Sequence, residues 1–266
     1  LAVHIGCNDV AAAGAEPVGM LLTIMAPPDA CREDIARVVA EAQEAASRVG
    51  VEIVGGHTEV TDAVNRMVLS ATVVGRAPRN RFFSAAGARP GDAILMTKWA
   101  GMEGTAILAH DFADRLSGVL TPEELQGARA LTQTLSVVPE GLLARNLPVT
   151  SMHDITEGGV LGAVWEMAEA SGCGALLNLD HIPVLKVTRR ACAHLGLNPY
   201  RLISSGSMLM TASDGAAVAE ALLGEGIPAS IIGCVTQEGI QALSDGQAYP
   251  VEPPGADELY KVRGNP

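Results

Sequence analysis

The sequence predicts a mixed α+β fold in two domains, and three observations carry that prediction. The chain has 266 residues, 48% of them hydrophobic and only 18% charged, which is enough to bury substantial cores and too apolar for a disordered chain. From Leu1 to Val74 its apolar stretches run in the order strand, helix, strand, long helix, strand, loop, strand, the order of an α/β sandwich with helices on one side of a sheet. Between Arg76 and Pro90 the pattern is broken by Pro78, Asn80, Gly87 and Pro90, which places a boundary there. The expected division is an N-terminal domain over residues 1–80, a C-terminal α/β domain over 91–245 and a tail over 246–266.

Leu1 to Ile5 reads as the end of a strand, and Gly6-Cys7-Asn8-Asp9 opens a short helix from Val10 to Gly14, with Asn8 and Asp9 as natural capping types. A strand follows from Val18 to Met25 and ends at Pro27-Pro28-Asp29. In the next helix Ile35, Val38, Val39, Ala42, Ala46 and Val49 share one face, and Gly50 is the expected stop. Val51, Ile53 and Val54 lead into a polar loop, Gly55-Gly56-His57-Thr58-Glu59, before an alternating strand from Met67 to Val74. Past the boundary come a strand at Asp92 to Thr97, a loop from Lys98 to Gly104 and a helix from Thr105 to Leu116. Thr121-Pro122-Glu123-Glu124 is a capping box that starts a helix to about Leu135. A helix around Pro139 to Arg145 and a strand from Val149 to Met152 precede the polar turn His153-Asp154-Ile155-Thr156-Glu157-Gly158-Gly159, and a helix carrying Val160, Leu161, Val164 and Met167 leaves it. Strands at Ala175 to Leu179, Ser207 to Thr211 and Ser230 to Val235 alternate with helices at Val187 to Leu195 and Ala216 to Leu223. From Tyr249 the chain reads as a trailing segment rich in proline and charge.

A formal charge of -12 and an aromatic content of 3% argue against binding nucleic acid or an anionic membrane, since both need a basic face. The longest apolar run, Val18 to Ala26, is interrupted by Gly19 and Thr23 and falls short of the ~20 residues of a membrane span. Five cysteines, none paired as C-x-x-C, fit a reduced cytoplasmic chain without a zinc finger. The chain opens on Leu1 within an apolar stretch, and residues of the natural protein are expected to precede it.

No Walker loop, dinucleotide fingerprint, nucleophile elbow or H-E-x-x-H pair occurs. The chemistry is concentrated in three acid-bearing stretches: Asn8-Asp9, His57-Thr58-Glu59, and His153-Asp154 with Glu157. Carboxylates at several strand ends can hold Mg²⁺ through one or two bonds each and leave phosphate oxygens to complete the octahedron. The glycine pair at 158 and 159, at a helix start, is a candidate anion site. For each stretch the plainer reading is a polar turn facing water or a helix cap. His4, His110, His181 and His194 have no ligand partner at metal spacing.

Asn8-Asp9 through Gly14-Ala15-Glu16-Pro17 resembles the N-D-x₅-G-A-x-P segment of the AIR synthase-like superfamily. Gly55-Gly56-His57-Thr58-Glu59 is similar to its G-G-[DEH]-[ST] segment, and His153 to Gly159 to its [HD]-D-x-[ST]-x-G-G turn. Arg89-Pro90-Gly91-Asp92, Gly104-Thr105-Ala106-Ile107-Leu108-Ala109, Glu169-Ala170-Ser171-Gly172, Ile182-Pro183-Val184 and Leu195-Gly196-Leu197-Asn198-Pro199 add further matches, nearest to the HypE-type hydrogenase maturation members. The resemblance implies a homodimer paired through N-terminal strands, with ATP and Mg²⁺ bound along a cleft. The implied reaction is phosphoryl activation of an amide-like or other acceptor, small or protein-borne. Implied alternatives are a non-catalytic nucleotide- or partner-binding relative, or an enzyme like selenophosphate synthetase or thiamine-monophosphate kinase. By the same resemblance Asp9 and Asp154 are the metal-binding acids, with Asn8 beside the first, and His153 and Asp154 carry the catalytic chemistry. Gly55, Gly56, His57, Thr58 and Glu59 line the nucleotide, and Lys98, Gly101 and Gly104 take an anionic group of the second substrate. His57 stands where HypE-type chains carry Asp, Glu59 where they carry Lys, and Lys261-Val262-Arg263-Gly264-Asn265-Pro266 stands where they end in a cysteine.

Overall fold

Val3, His4, Cys7, Asn8 and Ala11 recur at helical spacing, and in the computed structural model, which describes residues 1–263, they are the buried face of α1, Ala2–Ala12. The expected strand at Leu1 to Ile5 is therefore the first turn of a helix, and Asn8 and Asp9 lie inside it instead of capping it. A short apolar run fits either period, and here the spacing of the small residues decides. Next come β1, Glu16–Ala26, and α2, Arg32–Val49. Cys31 and Asp34 close the start of α2 as a capping box, and Gly50, at φ 71°, ends it. Only Ala42 and Ala46 are fully buried on α2, and Val39, expected on the inner face, is exposed.

The chain then forms β2, Glu52–Val60, and β3, Val68–Arg76, in a three-stranded sheet of order β2-β1-β3. β1 is parallel to β2 and antiparallel to β3. The stretch expected as a polar loop, Gly55 to Glu59, is strand. Gly56 lies so close over β1 that a Cβ there would sit 1.9 Å from the Leu22 carbonyl oxygen, and the ladder shifts register between Met20 and Leu21. The glycine pair thus carries the strand through a bulge instead of ending it.

The second half holds β4, Ala93–Thr97, α3, Met102–Asp111, α4, Pro122–Ala130, α5, Val138–Ala144, β5, Val149–Ile155, and α6, Gly159–Ser171. It continues with β6, Gly174–Asn178, α7, Lys186–Leu195, β7, Ser207–Ala212, α8, Gly215–Gly224, β8, Ala229–Thr236, β9, Ile240–Ser244, β10, Gln247–Pro250, and α9, Leu259–Arg263. Its seven strands lie in the order β10-β9-β6-β8-β4-β7-β5. The Thr121–Glu124 capping box forms as the sequence predicts. α3 starts at Met102, before the expected Thr105, because Gly101 takes φ 71° at its N-cap. His153 and Asp154, expected in a turn, belong to β5 and pair with Leu209 and Met208. The trailing segment is also structured: β10 pairs with β9, and Val251, Asp257, Glu258, Leu259 and Val262 are buried. Gly264, Asn265 and Pro266, part of the stretch compared with the family's terminal cysteine, lie outside the described residues.

α1 joins the two halves. One apolar cluster takes Val3, Cys7 and Ala11 from α1, Met20, Leu22 and Ile24 from β1, and Val137, Ala144, Met152 and Met208 from beyond the boundary. The approach of α5 is so close that a Cβ on Gly141 would sit 2.2 Å from the Ala11 carbonyl oxygen. Within this contact the buried Asn8 amide donates to the Leu135 carbonyl at 2.8 Å, and its oxygen accepts from the Val137 N–H at 2.9 Å. Asn8→Ala leaves both backbone groups buried without partners, and each such group costs about 1–3 kcal/mol. The expected loss in urea unfolding is about 2 kcal/mol or more, and a change within error of zero would refute the clamp.

Candidate functional site

α1 and β5 pack together and bring Asp9 near the end of β5. Asp154 is buried, and its Oδ2 has no hydrogen-bond partner among the described residues. Its Oδ1 lies 3.8 Å from His153 Nδ1, and His153 Nε2 lies 3.0 Å from Glu166 Oε2 on α6. The imidazole is thus held between two carboxylates. Burial works to lower its pKa, but the hydrogen bonds and charges of Asp154 and Glu166 outweigh burial, and the net shift is upward. The Asp9 carboxyl is also pushed up, first by partial burial and then by the charge of Asp154, with His153 opposing and Glu157 adding to the shift. Asp9, His153, Asp154 and Glu157 form one electrostatic group although they are far apart in sequence.

Among the described residues no three Asp, Glu, His or Cys side chains converge into a ready-made metal centre. Mg²⁺ needs fewer protein ligands, since it commonly takes one or two carboxylates and completes its shell with water and substrate phosphates. The unpartnered Asp154 Oδ2, beside a second carboxylate whose ionisation it opposes, fits that role. A cation there would relieve both the orphaned oxygen and the repulsion.

The start of α6, expected as an anion site, is filled from within the chain. The Gly158 N–H donates to Asp257 Oδ2 at 3.0 Å, Gly159 to the Thr156 carbonyl at 3.1 Å and Leu161 to the Tyr200 carbonyl at 3.1 Å. Gly159 sits at φ 61°, and a Cβ there would be 2.6 Å from the Tyr200 carbonyl oxygen. Asp257 was not among the sequence candidates. Its signal was local, an Asp ahead of Leu259 and Val262, and it does accept from the Leu259 N–H at 2.9 Å. Glu103, in the first turn of α3, was missed as well. It is 3% exposed, its Oε2 has no partner, and the nearly inaccessible Ser205 hydroxyl is also unpartnered. Burial raises the Glu103 pKa, Ser205 opposes the shift, and Glu157 adds to it.

The structure does not bring the remaining candidates to this group. Lys98 turns inward, with its Nζ 2.8 Å from the buried Glu140 carboxylate and donating to the Ser136 carbonyl at 2.6 Å. Gly101 donates to Ser204 Oγ at 2.7 Å and Gly104 to the Ile203 carbonyl at 3.0 Å. A Cβ on Gly104 would meet Leu202 at 2.4 Å, so both glycines serve close packing. Gly55, Gly56, His57, Thr58 and Glu59 lie on β2, an exposed edge strand, and His57 Nε2 is 3.4 Å from Glu59 Oε2. Asp9 projects from α1, which packs on β3 and β1. Within one chain the two sets are separate. His4 is buried with an unpartnered Nδ1, and burial lowers its pKa, in keeping with a structural role.

A histidine whose folded pKa is raised contributes stability that is complete below its unfolded value of about 6.5 and is lost as pH rises through the folded value. The stability difference between the wild type and His153→Gln is therefore expected to be largest near pH 6 and to shrink towards about pH 9, read by urea unfolding across that range. A difference that stays flat or grows with pH would contradict the bracketed imidazole.

Residues 1–77 match the family model for the AIR synthase related protein, N-terminal domain, and residues 89–246 match the model for its C-terminal domain. Carbamoyl dehydratase HypE of Cupriavidus necator is 32% identical over 245 residues, covering 90% of this chain and 68% of its own length. The chain spans between 60% and 68% of the length of the first curated relatives it matches. A crystal structure of E. coli HypE superposes with a TM-score of 0.84 at 27% identity, covering 98% of this chain and 81% of that one. A crystal structure of HypE in complex with ATP superposes at 0.79 with 23% identity, covering 97% and 79%. Two strand-and-helix units in this order, joined through α1 and matched along nearly their whole length, place the chain in the AIR synthase related protein family, among its HypE-type members.

Proposed function

We propose that the chain is an ATP- and Mg²⁺-dependent HypE-type enzyme that activates an amide-like oxygen on a small or protein-borne acceptor by phosphoryl transfer. The observation that carries this reading is the packing of α1 on β5, which sets Asp9 near enough to Asp154 for their charges to interact across the junction of the two units, the latter with a buried oxygen that no described residue satisfies. The carbamoyl dehydratase named among the relatives and the ATP complex among the fold neighbours support it. Mg²⁺, when bound, would be held by Asp9 and Asp154 and would neutralise charge on the transferring phosphate.

The chain's own contributions follow from geometry. Asp154 and Glu166 favour the protonated His153 imidazole and fix its orientation, which suits a donor to a phosphate or to a departing oxygen. Asn8 holds α1 against the Leu135–Val137 turn, so Asp9 keeps its position relative to β5. The family's dimer is part of the same proposal. Val18, Leu21, Val54, Val68 and Val74 are exposed on the three-stranded sheet, and β2 is an open edge, a surface that a monomer would leave to aggregation. Pairing of two sheets would cover it and enclose the polar residues of β2. No helix among the described residues is long and apolar enough to cross a membrane, and we place the enzyme in the cytoplasm.

Differential scanning fluorimetry tests the nucleotide site. Mg·ATP at about a hundredfold over its Kd is expected to raise the Tm by several degrees, corresponding to about 2.7 kcal/mol. Asp154→Asn is expected to weaken binding at least about tenfold, which at the same Mg·ATP concentration cuts the stabilisation to about 1.4 kcal/mol or less. A wild type that Mg·ATP does not stabilise would sink the reading, and stabilisation without phosphate release from any amide acceptor would leave a binding protein. Sedimentation tests the dimer: the wild type is expected as a dimer and Leu21→Arg as a folded monomer, and a monomeric wild type would refute the pairing.

A further inference from the structure

The first turn of α3 is pressed against the loop that leads into β7. A Cβ on Gly104 would meet Leu202 at 2.4 Å, the Gly104 N–H donates to the Ile203 carbonyl at 3.0 Å, and the Gly101 N–H donates to Ser204 Oγ at 2.7 Å. The same loop is tied to the β5–α6 turn, where the Ser204 N–H donates to the Thr156 carbonyl at 3.3 Å. In this rigid setting the neighbouring hydroxyls are used within the chain. Ser204 Oγ donates to the Leu202 carbonyl at 2.8 Å, and Ser207 Oγ to the Trp99 carbonyl at 2.8 Å. Ser205, between them, is 1% exposed, and its hydroxyl has no partner among the described residues. Glu103 lies near enough to interact with it, is 3% exposed, and has an equally unpartnered Oε2.

A buried carboxylate needs a partner, because the interior cannot replace the water it has lost. The fold withholds one from Glu103. The charges that act on it are those of Glu157, the amino group of Leu1 and Asp257, and no Lys, Arg or His side chain bonds to it among the described residues. Lys98, on the preceding loop, is held by Glu140 at 2.8 Å. The helix start gives no help either, since the Gly104 and Thr105 N–H groups go to the Ile203 and Gly101 carbonyls. Asp257, by contrast, accepts from Gly158 and Leu259. A free carboxylate oxygen beside a free hydroxyl, with carboxylates as neighbours, is complementary to a positive group that carries several N–H donors. Glu157 is exposed and adjoins Thr156, so the pair lies close below the surface at that turn.

We propose that Glu103 and Ser205 form a recognition subsite for an amidinium, guanidinium or primary ammonium group. Glu103 supplies the opposite charge, and the Ser205 hydroxyl donates to Glu103 while its oxygen accepts from the ligand. The loop bearing Ser205 is bonded to Thr156, two residues beyond Asp154, so the group recognised belongs to the acceptor, beside the oxygen to be activated. That assignment to the acceptor rests on the phosphoryl-transfer reading above, whereas the subsite itself does not.

An NMR titration of the full chain, without nucleotide, tests the subsite. Acetamidinium is expected to shift the backbone amide signals of residues 103–105 and 204–206 saturably, with a Kd on the order of 1–10 mM for so small a probe. Acetamide, of the same size but uncharged, is expected to bind at least about tenfold more weakly. Glu103→Gln keeps the shape and removes the charge, and is expected to weaken acetamidinium binding at least about tenfold. Ser205→Ala is expected to weaken it about threefold, and serves if the first variant does not fold. Equal binding of acetamide and acetamidinium overturns the proposal, and so does an affinity that these substitutions leave unchanged. The absence of a saturable shift up to about 100 mM also overturns it, and means that the pair holds only a proton, a water or each other. A chain that binds acetamidinium but not Mg·ATP keeps the subsite and loses the phosphoryl-transfer reading, so the two failures are distinguishable.

Discussion

The placement of α1 is the constraint on which the rest depends. Its buried face enters, with that of β1, a cluster shared with the second unit, and the Asn8 amide fastens it to backbone groups at Leu135 and Val137. Hydrogen bonds from a buried amide to two backbone groups leave little freedom to slide or rotate, because either movement strands a donor or an acceptor in an apolar setting. One residue further along the same helix is Asp9. The angle of α1 therefore sets where Asp9 stands relative to Asp154, and no loop intervenes to loosen it.

The second feature of the molecule is an unbalanced charge at this junction. Burial raises the carboxyl pKa of Asp9, Glu103 and Asp257. The charges of Asp154 and Glu157 add to it at Asp9, those of Glu157 and Asp257 at Glu103 and that of Glu157 at Asp257, and the basic groups that could have neutralised them are placed elsewhere. Lys98 is consumed by Glu140, and His153 is divided between Asp154 and Glu166. Repulsion of this kind lowers the stability of the empty protein and raises the gain from any cation that enters. The same imbalance supports the proposed metal-bound nucleotide at the junction, and Asp257 is held by backbone amides.

Much of the secondary structure was legible in the sequence. Gly50 ends α2, the Thr121–Glu124 box starts α4, and the second unit alternates strand and helix in the expected order. The failures have one cause in common. Gly55 and Gly56 suggested a break, and Asn8 and Asp9 suggested a cap, because local preference gives glycine to turns and Asn or Asp to helix starts. In the fold Gly56 is needed for contact with Leu22, and Asn8 for contact with a turn more than a hundred residues away. The final segment misled for the same reason. Its composition describes its exposed middle and conceals the buried residues at both ends, Asp257 and Glu258 among them.

The sequence by itself determined the periods of burial, the helix ends and the ordered set of acidic stretches that carries the family resemblance. These are local properties, written in residue spacing and backbone preference. Only the tertiary structure decided which acids meet, that Lys98 is spent on Glu140, that β2 lies apart from Asp9 within one chain, and that Asp257 fills the start of α6. Such pairings depend on which surfaces are pressed together when the cores form, and the cost of burying a charge or an unpaired amide then selects its partner without regard to distance along the chain.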